Sequence, residues 1–232
     1  MTLKEIQLKL YESLEDSGWS TKLKMFLLSK DFLSILQVLY TNAQTDKRFT
    51  PTLKDLFRAF IECPYGELKV VIINSDPYAN VGVADGIAFS CSKDQEVQPA
   101  LKYMFKEIDK TVYPDGHTWN PDLSRWSNQG VLLLNTALTT QLNKLGVHKD
   151  LWAPFTTYLL DTLADYNSGL IYVFVGEKAK EWHKLVSTDN YKFFTTHPIS
   201  AKYHSNDHWD SGNLFNQINK VVFETYGEKI IW

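Results

Sequence analysis

The chain has 232 residues, enough for one α/β domain with a full hydrophobic core, and residues 1–232 are expected to form that single domain. Its formal net charge of −3 supplies no global basic field, so any nucleic-acid partner must be met by a local positive groove. The two cysteines, Cys63 and Cys91, stand in no metal-like or redox spacing, and the charged stretch 1–18 reads as neither signal peptide nor membrane span; a reducing, non-secretory compartment is expected.

The first part of the chain reads as helices. In DFLSILQVLYTN, Phe32, Ile35, Leu36, Leu39 and Tyr40 fall on one helical face. In TPTLKDLFRAF, Thr50 is a candidate N-cap with Pro51 at the first helical position, and Leu53, Leu56, Phe57 and Phe60 form the stripe. The run 68–74, LKVVIIN, is the first strand and 131–134, VLLL, the second. Asp150 is a candidate cap for a helix carrying Trp152, Phe155, Leu159, Leu160 and Leu163. The run 170–175 is the third strand, ending at Gly176. A short helix with Trp182 leads to a fourth strand, YKFFTT, and Leu214, Phe215, Ile218, Val221 and Val222 mark the last helix. Strands alternating with helices predict a parallel sheet covered on both sides.

Three apolar runs each lead into a polar side chain: Asp76, Asn135 and His197. In an open parallel sheet the carboxyl ends of the strands line the ligand crevice, so a carboxylate, a carboxamide and an imidazole should face one pocket. Each has a plainer reading. Asp76-Pro77-Tyr78 reads equally as a turn, and Asn135 as a helix cap before Thr136. A lone histidine is more often structural than catalytic. Gly82 and Gly86 are either ordinary loop glycines or points of close approach to a ligand, with Phe89 ready to stack on a planar base. His204 and His208 have a spacing that suits a metal on a helix, but the Ser205-Asn206-Asp207 stretch does not read as helical, so no metal is expected.

These pieces in this order resemble the family 1 uracil-DNA glycosylases over nearly the whole chain. FTPTLKDLFRAF, KVVIINSDPY, WSNQGVLLLNTALTT and VFVGEKAKEW carry the resemblance, the last with Glu177 where the family has serine. It implies a single domain with a central four-stranded parallel sheet flanked by helices. It also implies hydrolysis of the N-glycosidic bond of deoxyuridine in DNA, with no cofactor. The family motif G-Q-D-P-Y-H becomes Asn74-Ser75-Asp76-Pro77-Tyr78-Ala79. By that resemblance Asp76 orients water and Ser75 takes the glutamine position. Tyr78 blocks the C5 methyl of thymine, Phe89 stacks on uracil, Asn135 reads the uracil edge and His197 donates to the uracil oxyanion. The H-P-S-P-L-S loop is shortened to His197-Pro198-Ile199-Ser200, with Ile199 as the wedge. Ser90 and Ser200 are expected to contact DNA phosphates, with Lys178 and Lys202 adding positive charge.

The implied partners are uracil-containing DNA, single- or double-stranded, and a proteinaceous inhibitor or replication proteins. The protein is expected to act as a monomer, in the cytoplasm of a bacterium or phage host or in a nucleus. The alternative is a DNA-binding replication accessory protein on the same fold, with weak or no glycosylase activity.

Overall fold

Capping sets the first elements. A computed structural model describes residues 1–92, 95–166, 169–205 and 207–232. Helices α1 (Leu3–Glu12), α2 (Trp19–Leu27) and α3 (Lys30–Ala43) come first. Thr2 closes a capping box with Glu5 ahead of α1, and Ser29 caps α3, so short polar side chains take first-turn N–H groups at both starts. On α3, Phe32, Ile35, Leu36 and Leu39 are buried, but Tyr40 lies at the rim of that stripe and stays exposed.

The elements that follow are β1 (Phe49–Thr50), α4 (Arg58–Glu62), β2 (Val70–Asn74), α5 (Pro99–Thr111), α6 (Ser124–Ser127), β3 (Val131–Asn135) and β4 (Thr140–Gln141). Then come α7 (Lys149–Tyr166), β5 (Ile171–Val175), α8 (Glu177–Lys180), β6 (Tyr191–Thr195) and α9 (Leu214–Tyr226). Thr50 does not cap a helix. Its backbone pairs with Thr140 in a small antiparallel ribbon, which holds it extended, and helix begins only at Arg58. Asp150 lies inside the first turn of α7, where its negative charge still suits the helix dipole. Asn135 ends β3, and no helix follows it.

Strands β2, β3, β5 and β6 form one parallel sheet in the order β3-β2-β5-β6. β2, β3 and β5 are buried along their whole length, as continuous Val, Ile, Leu and Phe runs require. β6 differs: Tyr191 and Phe194 are each 46% exposed, so this edge strand is incompletely covered, whereas β3 at the opposite edge is fully buried. Two aromatic clusters pack the helices. Phe155 of α7 meets Phe26 at 5.5 Å and Phe57 at 6.0 Å between ring centroids, which ties the N-terminal helices to the body. Trp232 meets Trp126 at 5.4 Å and Phe215 at 5.1 Å.

Gly86 is a point of close approach, but to the chain itself. Its φ is +93°, and a Cβ there would lie 1.9 Å from the Asp55 carbonyl oxygen. Gly86→Ala should therefore lower stability by about 2 kcal/mol or more in urea unfolding. A loss under about 0.5 kcal/mol would show that the 84–90 loop can move away from Asp55 at little cost.

Candidate active site

The parallel register puts the ends of the strands at one level: Asn74 pairs with Asn135, and Val175 with Thr195. The chain beyond each end turns over the same rim. A cavity of about 590 Å³ opens there, within the range of small-molecule sites. Its walls are residues 74–80 after β2, the 84–90 loop, the start of α5, Leu145, residues 175–178, His197 and Ile199. Ser75, Asp76, Tyr78, Phe89, Ser90, His197 and Ile199 line it. Asn135 does not. It is 5% exposed and stands beside Asn74, whose Nδ2 donates to its Oδ1 at 2.9 Å.

Asp76 is held by backbone. Its Oδ1 accepts the Gly146 N–H at 3.0 Å, and its carbonyl accepts Asn74 Nδ2 at 3.0 Å. One face of the carboxylate belongs to the cavity. On another, a niche of about 10 Å³ lies among Ser75, Asp76, Thr136, Gly146, Lys149, Lys178 and Trp182, room for one water molecule. Position 79, histidine in the family motif, is a small buried wall, Ala79, and its carbonyl accepts the Asn143 N–H.

His197 sits at the end of the β6 connection. Its Nδ1 accepts the Ile199 N–H at 3.2 Å. That nitrogen must then be bare, so the proton of the neutral ring is on Nε2. Burial lowers the imidazole to about 4, so the ring is neutral at pH 7. A neutral imidazole with Nε2–H is a donor that can meet a developing anion without itself losing charge. The ring lies 5.7 Å from Phe89, centroid to centroid.

Phe89 is a buried non-glycine residue with φ +66°. A bulky side chain there costs on the order of 1–3 kcal/mol and persists only where surroundings impose it. They do. Tyr78 donates its hydroxyl to the Phe89 carbonyl at 2.9 Å, and burial pushes that phenol well above its usual range, so it stays protonated. On the far side, the Ser90 hydroxyl donates to Asp85 at 2.7 Å and accepts the Leu123 N–H at 3.1 Å. Asp85 is paired with Arg58 at 2.7 Å, and Arg58 grips Asp122 through both carboxylate oxygens at 2.8 Å.

That network corrects the expected role of Ser90. Its side chain is fully buried, and its N–H already donates to Ile87, so neither group is available to a phosphate. Ser200 differs only in part: its N–H donates to the His197 carbonyl at 2.9 Å and its Oγ is buried, but that Oγ has no partner among the described residues. Ile199 lies half-buried on the 3₁₀ turn Pro198–Tyr203 and faces the cavity. Lys178 reaches the cavity wall, and Lys202 lies on the same turn as Ile199. His208 pairs with the buried Glu107 at 3.0 Å, whereas Asn206, between the two histidines, lies outside the described residues.

Asn74, Leu145 and the Gly146 N–H are site groups that sequence reasoning missed. Asn74 carried a usable signal, a carboxamide where the family motif has glycine. Leu145 and Gly146 carried none, since only tertiary folding brings Leu145 to the cavity wall and the Gly146 N–H to Asp76.

The comparisons agree with one another. The profile of the "Uracil DNA glycosylase superfamily" matches residues 60–222. A protein of Listeria monocytogenes named uracil-DNA glycosylase 1 is 35% identical over 164 residues, covering 69% of this chain and 72% of that protein. A uracil-DNA glycosylase of Francisella tularensis is 32% identical over 204 residues, covering 87% and 91%. Among solved structures, mimivirus uracil-DNA glycosylase superposes with a TM-score of 0.84 at 25% identity, over 100% of this chain and 89% of that one.

The His197 environment has a direct test. Its ring proton resonances should titrate with a midpoint near 4 in NMR, well below the ordinary 6.5. A midpoint between 6 and 7 would mean that the ring is solvated and charged near neutrality.

Proposed function

This chain belongs to the uracil DNA glycosylase superfamily, and from that premise we propose that Asp76 and His197 carry its hydrolysis of deoxyuridine in DNA. The enzyme is a monofunctional DNA glycosylase that removes uracil, the opening step of base excision repair. The observation that most supports the residue assignment is the bare Nδ1 of His197, which leaves Nε2–H to act across a cavity that also holds the Asp76 carboxylate.

A base stacked in a duplex is out of reach, so the deoxyuridine is extruded, at a cost of a few kcal/mol. In the cavity Phe89 stacks on the pyrimidine and Tyr78 bars the C5 methyl of thymine. Asn135, with Asn74 beside it, reads the imide edge. The bond from C1′ to N1 breaks with its electron pair leaving on the base. Negative charge spreads to uracil O2, where His197 Nε2–H donates to it. Positive charge grows on the sugar, where Asp76 opposes it. Water, oriented by Asp76, adds its oxygen to C1′ and loses a proton to Asp76 or solvent, and a proton taken up by the uracil anion balances it, leaving an abasic site and free uracil. The Asp76 and His197 interactions strengthen only as charge develops, so they act on kcat more than on binding.

Ser200, Lys178 and Lys202 are proposed to contact phosphates, and Ile199 to fill the gap left by the extruded base. The half-burial of Ile199 on a shortened loop supports limited reach into a duplex and a preference for single strands. Two of the similar solved structures are variants of the mimivirus enzyme in complex with UGI, and a proteinaceous inhibitor of this kind is a proposed partner here. The proposal further includes one domain over residues 1–232, action as a monomer and a cytoplasmic or nuclear location, for which the free, buried Cys63 and Cys91 speak.

The test is release of free uracil from single-stranded and duplex uracil DNA in the presence of a chelator. Release should survive chelation and be faster on single strands. Asp76→Asn should lower kcat by about 100-fold or more with little change in DNA affinity. Ile199→Ala should slow duplex cleavage more than single-strand cleavage. No uracil release at high enzyme concentration would leave only a DNA-binding role, and Asp76→Asn cleaving like the parent would show that the carboxylate is misassigned.

A further inference from the structure

A carboxamide can be turned over with almost no change of shape. One end donates and the other accepts, so an unrestrained asparagine reads two patterns. Uracil presents an acceptor at O4 beside a donor at N3–H. Cytosine presents a donor at N4 beside an acceptor at N3. A half-turn of one side chain therefore exchanges the two bases.

In this fold the half-turn is blocked by logic that starts from a backbone carbonyl. The Asp76 carbonyl can only accept, so the Asn74 atom 3.0 Å from it must be the amino nitrogen. That same nitrogen lies 2.9 Å from the Asn135 side chain, so the atom it meets must be Oδ1. Oδ1 keeps one lone pair, and Asn135 Nδ2 is left without a partner among the described residues. The two asparagines stand directly opposite on β2 and β3, each 5% exposed. Stability alone does not account for the pair, because Asn74 Oδ1 is buried with no hydrogen-bond partner. The family motif has glycine at position 74, so the contact belongs to this chain and not to the motif.

If Asn135 meets the pyrimidine edge, as proposed above, its fixed orientation leaves Nδ2 to donate to O4 and the second Oδ1 lone pair to accept N3–H. We propose that Asn74 is a positioning residue that fixes which way the Asn135 carboxamide faces and thereby sets the choice of uracil over cytosine.

The experiment is single-turnover release of uracil and of cytosine from matched single-stranded oligonucleotides by the parent, Asn74→Ala and Asn74→Asp. With alanine, Asn135 turns freely, and the uracil-to-cytosine ratio of kcat/KM should fall by ~10-fold or more. With aspartate, a group that only accepts faces Asn135 and draws Nδ2 toward it. Cytosine release should then exceed that of Asn74→Ala while uracil release falls further. A packing role would lower both bases alike, so an unchanged ratio in both variants overturns the proposal while leaving the glycosylase assignment intact. A parent that releases no uracil removes both. Should alanine prevent folding, Asn74→Gly, the family residue, must show the same fall in ratio.

Discussion

Four parallel strands that end at one level form the constraint from which the site follows. Inside such a sheet a polar side chain would be stranded, because the ladder takes the backbone groups and apolar neighbours cover both faces. At the carboxyl rim the ladder stops and loops supply partners. Asn74 finds the Asp76 carbonyl and Asn135, and Asp76 finds the Gly146 N–H. The proposed chemistry sits at this rim because there the Asp76 carboxylate, the Asn74 carboxamide and the His197 imidazole are half-satisfied by protein and still face a cavity, with Asn135 bonded to Asn74.

The opposite wall has a different origin. The 84–90 loop carries Phe89 in a backbone conformation that an aromatic residue seldom adopts. Arg58, from outside the sheet, holds it through Asp85 and Ser90. Burial of Arg58 tends to lower its pKa, yet Asp85, Asp122 and Glu62 more than offset that and keep it raised. Asp85 is raised chiefly by burial, with Ser90 and Arg58 opposing. Losing one member would strand charge on the others, which makes the wall stiff. A stiff wall matters because a pocket rejects one methyl group strongly only by a clash it cannot relax, hydrophobic contact alone being worth about 1–3 kcal/mol per methyl.

The sheet was legible because buried parallel strands announce themselves as short Val, Ile and Leu runs. The partial exposure of β6 was not, since YKFFTT looks as apolar as its neighbours and only the tertiary cover, which is complete on the other edge strand β3, leaves Tyr191 and Phe194 exposed. Asp76, Tyr78, Phe89 and His197 could be placed on one cavity from the sequence because strand ends and the family motif coincide there. Ser90 was misjudged: a serine beside a pocket looks like a phosphate ligand until its fully buried hydroxyl is found inside an ion-pair network. Thr50-Pro51 mimicked a helix start because local cap chemistry says nothing of a strand partner ninety residues away in β4.

In the proposed complex one neutral imidazole and one oriented pair of carboxamides grip the same base. Binding of free uracil, the reaction product, followed by NMR on protein labelled with nitrogen-15, tests it most directly. The account predicts that the His197 Nε2–H resonance moves downfield as uracil is added, that Nδ1 stays unprotonated, and that the Asn135 side-chain amide shifts in the same titration. Uracil that binds without disturbing His197 and Asn135, or that protonates His197 on both nitrogens at pH 7, would contradict it.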